Sequence, residues 1–150
     1  MNDDLEWSKP KEYPISQIQT LLENGYEVEV ESPDGYISVN YFINKGMYQE
    51  YVLEVDDLNI DPISCNGEHL FETSLGWYSA KQLSIIEEVN ILTKNGYREG
   101  RVYSTDKEIP IVDINVEHKN HRYYTNNVSS HNTGVGKSLG MCHIAASSLL

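Results

Sequence analysis

Apolar side chains recur at helical spacing at Ile15, Ile18 and Leu22, and Asn24-Gly25 follows at once, so a short helix is predicted over residues 15–22. Residues 26–31 then alternate apolar and acidic side chains, Ser32-Pro33-Asp34-Gly35 supplies a turn, and residues 36–44 resume the two-residue period of a strand. This pattern predicts a β-hairpin. Lys45-Gly46 predicts a further turn and residues 50–55 a further strand. Residues 79–83 read as a helical turn, and residues 84–94 fit a helix or a strand equally well. Beyond the Asn95-Gly96 turn, residues 101–103, 111–116 and 122–124 read as strands. Residues 1–14 are polar and read as a mobile leader, whereas residues 139–150 suit a helix. With no internal repeat, the pattern predicts a mostly β fold of many short, curved strands.

Composition narrows the class. A chain of 150 residues with 39% hydrophobic side chains fits one domain with a core. Its net charge of −12 is lopsided: residues 1–80 hold 16 acids against 3 lysines, while residues 81–132 hold 7 acids and 7 bases. Such a surface repels nucleic-acid phosphate and attracts a basic partner. Cys65 and Cys142 are too few for a disulfide scaffold and lack metal-ligand spacing, so no metal site is expected. The sequence carries neither a signal peptide nor an apolar run long enough to span a bilayer, which points to a cytoplasmic setting without a membrane partner.

The chemistry concentrates in Val128-Ser129-Ser130-His131-Asn132-Thr133. An asparagine can attack its own backbone carbonyl through the side-chain nitrogen, closing a five-membered ring and breaking the following peptide bond. Asn132-Thr133 is therefore a candidate scissile bond. The reaction needs a proton donor for the departing nitrogen and a group that polarises or deprotonates the carboxamide, roles open to His131 and His121. The Thr133 hydroxyl beside the break can accept an acyl group before the cut.

These residues also carry a family resemblance. Val112-Asp113-Ile114-Asn115-Val116, Asn120-His121, Arg122-Tyr123-Tyr124-Thr125-Asn126-Asn127 and Ser129-Ser130-His131-Asn132 resemble the two C-terminal motif blocks of inteins. Ile63-Ser64-Cys65-Asn66-Gly67-Glu68-His69-Leu70 resembles the family's Thr-x-x-His block, with His69 in place and Asn66 where the Thr usually stands. The resemblance implies the horseshoe-shaped β fold shared by inteins and hedgehog autoprocessing domains. It also implies a four-step reaction without metal, nucleotide or other cofactor. A Cys at the start of the element attacks the carbonyl before it, His69 protonates the leaving amide nitrogen and Asn66 helps hold that peptide. Thr133 then accepts the acyl chain with help from Asp113, Asn132 cyclises assisted by His121 and His131, and the freed ester rearranges to a peptide bond. Asp113 argues against the variant that starts from a Cys at that position. As a secondary, β-branched hydroxyl, Thr133 is a poorer nucleophile than a thiol. His118 is expected to be a plain surface residue.

An intein normally opens with Cys or Ser, whereas this chain opens with Met1. Residues 1–132 are therefore expected to be the long C-terminal fragment of a naturally split intein, incomplete without a short, basic N-terminal fragment that carries the Cys nucleophile and the N-extein. No stretch between the His69 and Asp113 blocks is long enough for a homing endonuclease. Residues 133–150 are expected to be the C-extein: Gly136-Lys137-Ser138 ends like a phosphate-binding loop, and the following residues resemble the loop and helix of phage replicative DNA helicases. Splicing would restore a host protein that binds ATP and Mg²⁺ there. Two alternatives stand beside this reading: an autoprocessing domain that cleaves without ligating, and a P-loop ATPase with an accessory binding domain in front.

Overall fold

The computed structural model describes residues 5–131, 137–138 and 141–149. Two short strands, β1 (Leu5–Trp7) and β2 (Lys11–Pro14), stand where the polar pattern predicts a mobile leader. Their backbone groups pair with a strand from the far end of the chain, which a polar sequence does not prevent. Helix α1 (Ser16–Glu23) follows and buries Ile18, with Gly25 at a φ of 84° just beyond its end. The predicted hairpin is present as β3 (Tyr26–Ser32) and β4 (Gly35–Val55). Its turn is tied by the Ser32 hydroxyl, which donates to the Gly35 carbonyl at 2.7 Å and accepts from the Asp34 N–H at 2.9 Å.

Strand β4 runs through Lys45-Gly46 without turning back. Gly46 sits at a φ of 96° at a register shift between Asn44 and Gly46, so this dipeptide makes a bulge that bends a continuous strand. The chain continues through β5 (Ile63–Cys65), β6 (Leu70–Thr73), β7 (Gly76–Ser79) and helix α2 (Ala80–Leu83). Ser79 and Gln82 form a reciprocal capping box on α2, the helical turn expected there. The ambiguous stretch contains a strand, β8 (Val89–Thr93), and the separate strands expected over 101–103 and 111–116 are one, β9 (Gly96–Val116). Next come β10 (Arg122–Thr125), β11 (Val128–His131), β12 (Lys137–Ser138) and β13 (Met141–Leu149).

Strand β13 replaces the helix expected over residues 139–150. Cys142 and Ile144 are buried, and Ile144 and Ala146 stand opposite Val30 and Val28 of β3. The slot in the sheet overrides the helical propensity of the Ala and Leu residues.

The 13 strands join in the order β1-β13-β3-β4-β5-β12-β9-β8-β11-β6-β7, with β10 on β11 and β2 on β13. The long β4 and β9 pair from Val39↔Val116 to Val55↔Gly100 through three register shifts, so they curve past two separate cores. One core gathers Ile18, Val28, Val30, Ile114, Val116, Tyr123, Cys142 and Ile144 around α1. The other gathers Leu53, Ile63, Cys65, Phe71, Leu83, Ile91 and Val128. Strands bent around two cores form the horseshoe-shaped β fold expected from the motif blocks.

Candidate active site

Strand β5 delivers the chain to a tight turn that carries Asn66 and His69. The His69 N–H donates to the Asn66 carbonyl at 3.3 Å, the Ala80 N–H donates to the His69 carbonyl at 2.8 Å, and the Lys81 N–H donates to the Gly67 carbonyl at 2.8 Å. The backbone around His69 is thus clamped against the start of α2. His69 is fully buried, with its ring packed edge-on to Phe71 at 4.7 Å between centroids. Asn66 is buried too, and its Oδ1 has no hydrogen-bond partner among the described residues. A buried unpaired acceptor is a destabilising feature that a peptide N–H could relieve. A cleft of about 210 Å³ opens beside it between Tyr48, Tyr51, Asn66, Glu68 and Lys81.

His131 ends β11. Strand β11 pairs with β6 at Ser130↔Phe71, and continuing that antiparallel register brings His131 alongside Leu70, next to His69. The His131 ring stands edge-on to Trp77 at 5.0 Å and 6.1 Å from the His121 ring. Burial, and then the neighbouring His121, hold the His131 pKa below the ordinary imidazole value. Its Nδ1 is buried and has no hydrogen-bond partner among the described residues. His121 is exposed at a φ of 51°, a left-handed conformation fixed by its N–H donating to the His118 carbonyl at 3.0 Å. Ring proximity thus joins His121 to His131, and the Ser130↔Phe71 pairing sets the strand of His131 beside the strand that follows His69.

Asp113 lies in β9, buried, its Oδ1 accepting from the Ile114 N–H at 2.8 Å and from the Tyr123 hydroxyl at 3.4 Å. Burial and the adjacent Asp113 carboxylate push the Tyr123 hydroxyl pKa well up. Strand β12 connects Asp113 with the His69 block: Lys137 pairs with Cys65, the residue before Asn66, and with Val112, the residue before Asp113. Asn132, Thr133 and Gly136 lie outside the described residues, as does the loop reading that rests on Gly136. For Lys137 and Ser138 the backbone is described, and β5 and β9 engage it as a strand.

A network of supporting side chains ties the motif blocks to the Asp34 turn, a pairing that motif reading does not reveal. Arg122 Nη1 donates to both oxygens of Glu72 at 3.0 Å, while its Nε and Nη2 hold Asp34 at 2.9 and 3.0 Å. Glu72 also accepts from the Ser129 hydroxyl at 2.7 Å, so the strand leading to His131 is tied to β6. Hydrogen bonds from Arg122 lower the Asp34 pKa, and the two carboxylates raise that of Arg122. Asn120 Nδ2 donates to Asp34 at 3.0 Å, and His118 is a half-buried neighbour of the same carboxylate at 3.6 Å rather than a plain surface residue. With Trp77, Glu72, Asn120 and Arg122 line a cleft of about 250 Å³. Among the described residues, no group of three or more His, Cys, Asp and Glu side chains is placed to hold a metal ion. No helix among them is long and apolar enough to cross a membrane.

Known structures share this architecture. The chain is similar to the crystal structure of the VidaL intein in its selenomethionine variant, with a TM-score of 0.75 and 23% identity over 87% of this chain and 91% of that one. It is similar to the gp41-1 intein, with a TM-score of 0.56 and 22% identity over 72% of this chain and 99% of that one. A DnaB intein from Synechocystis sp. PCC 6803 matches with a TM-score of 0.56 and 18% identity over 71% of this chain and 78% of that one. No protein-family model matches the sequence, and no curated protein does. At these identities the likeness establishes the fold, and the chain has the β fold of inteins.

Proposed function

We propose that residues 1–132 are the C-terminal fragment of a split intein that carries out protein splicing in trans. The observation that supports this most is the pairing of β12. Strand β12 lies between β5 and β9, with Lys137 opposite Cys65 and Val112, so this strand beyond the candidate break runs beside the residues that precede Asn66 and Asp113. In this reading a Cys thiol of an upstream fragment attacks the preceding carbonyl, and His69 protonates the departing amide nitrogen. The Thr133 hydroxyl displaces that thiol from the acyl carbon, helped by Asp113. The Asn132 side-chain nitrogen then closes on its own carbonyl, breaking the bond to Thr133, with His131 and His121 handling the protons. The freed Thr133 amine finally takes the acyl group from its own hydroxyl.

The C-extein assignment of residues 133–150 belongs to the same proposal. In the ligated host, Lys137 would reach ATP phosphates and the Ser138 hydroxyl would meet Mg²⁺, as in a helicase P-loop. In this chain their backbone is held in β12, so nucleotide binding belongs to the product alone. The loop spacing then requires the upstream host segment to end in Gly followed by one further residue. The test is to mix the chain with the protein encoded just upstream and map the peptides of the product. A junction with Gly two residues before Thr133 is the expected result. Cleavage at Thr133 with no junction would leave a cleaving-only domain, and a junction without that Gly would remove the helicase assignment.

A further inference from the structure

A strand that lies beyond the candidate break forms part of the fold that would perform the break. Strand β13 sits between β3 on one side and β1 and β2 on the other. Its Cys142 and Ile144 complete the core that contains Val28 and Val30. If the bond at 132–133 is cut, β13 departs with the product and leaves Val28 and Val30 on an open edge. An uncovered apolar edge is a ready template for another strand.

The present occupant fills this slot imperfectly. Ser147 stands opposite Glu27, and its buried Oγ has no hydrogen-bond partner among the described residues. Ala145 stands opposite Glu29, whose carboxyl pKa is raised by burial and by Glu27. Neither Glu27 nor Glu29 has an ion-pair partner among the described residues, whereas Glu31 has Lys94 at 2.8 Å and His143 at 3.5 Å. The best occupant would keep apolar residues opposite Val28 and Val30 and place Lys or Arg between them, opposite Glu27 and Glu29.

We propose that the slot between β3 and the β1 and β2 strands is a docking site for an extended, basic strand, and that Met141–Leu149 fills it as a removable placeholder. Identifying that strand as part of the upstream fragment rests on the splicing reading; the exchange itself does not. Occupied in cis, the slot holds the unreacted chain closed. Charge complementarity to Glu27 and Glu29 lets the incoming strand displace β13.

The two cysteines make this testable on the unmodified chain, because Cys142 lies in the slot and Cys65 in the other core, both buried. Alkylation with iodoacetamide, read at each cysteine by mass spectrometry, should modify Cys142 at least about tenfold faster than Cys65 through local opening. A nonapeptide with the sequence of residues 141–149, but lysine in place of His143, Ala145 and Ser147 and serine in place of Cys142, serves as the probe. A tethered strand has an effective concentration on the order of millimolar, so the peptide is added at that level. It should raise the Cys142 rate severalfold and leave Cys65 unchanged. Equal rates for the two thiols, or a Cys142 rate indifferent to the peptide, would overturn the proposal. Labelling requires no bond cleavage, so failure of the splicing reading would show separately, as a 132–133 bond left intact after mixing with the upstream protein.

Discussion

Two clusters of carboxylates in this protein are treated in opposite ways. Around Arg122, Asp34 and Glu72 share one guanidinium in forked hydrogen bonds, and Ser129 and Asn120 donate to the Glu72 and Asp34 oxygens that the guanidinium also holds. On β3, Glu27 and Glu29 stand opposite Ser147 and Ala145, and neither has an ion-pair partner among the described residues. The first cluster braces the strand that ends in His131, through Ser129 on Glu72. The second lines the slot held by β13. On the exchange proposed above, matched charge marks the braced part of the fold and unmatched charge the slot that a basic strand would fill.

Substitutions can separate the two regions. The largest effect is expected in the second core, where Ile91→Ala removes a fully buried side chain and should lower unfolding free energy by about 3 kcal/mol. Ile144→Ala deletes an equally buried group but should lower it by less, about 1 kcal/mol, if the slot region opens before the rest. Urea titrations of the two variants give this ratio directly, and equal losses would erase the distinction. Next is Arg122→Ala, which leaves Asp34 and Glu72 without their shared cation and should destabilise by about 2 kcal/mol. An unchanged urea midpoint would mean that the network is ornamental.

Acid should act on the His131 side of the comparison. With its folded pKa below the ordinary 6.5, His131 contributes stability that is fully present above 6.5 and is lost as pH falls through the lower folded value. His131→Gln should therefore flatten the loss of stability between about pH 7 and pH 5, measured by urea titration at each pH. A slope identical to that of the native chain would contradict a His131 pKa lowered by partial burial. The smallest effect belongs to Glu29→Gln, which relieves repulsion with Glu27 and should stabilise the isolated chain by a few tenths of a kcal/mol, about 0.3. A loss of stability instead would show that β13 is a matched partner for β3.

Much of this was legible in the sequence where the signal was local. The alternation over residues 26–31 and the Ser32 to Gly35 turn gave the hairpin, and the turn that carries Asn66 and His69 follows β5 directly. Lys45-Gly46 misled because the residues that permit a turn also permit a bulge, and only the facing strand decides between them. Residues 139–150 misled because helical propensity is a weak preference beside a vacant strand position with an apolar floor. The brace around Arg122 was invisible for a different reason. Its partners stand 50 and 88 positions away, a separation at which charge pairing has no periodic signature.

The central claim is that the bond after Asn132 breaks by cyclisation of that asparagine. The direct measurement is the intact mass of the chain and its fragments after incubation with the upstream protein, compared with Asn132→Ala. The native chain should yield residues 1–132 lighter by one water than the hydrolysed fragment, the mark of a C-terminal aminosuccinimide, and the variant should yield none. Release of the same fragment from Asn132→Ala, or a native fragment carrying a free carboxylate from the outset, would contradict it.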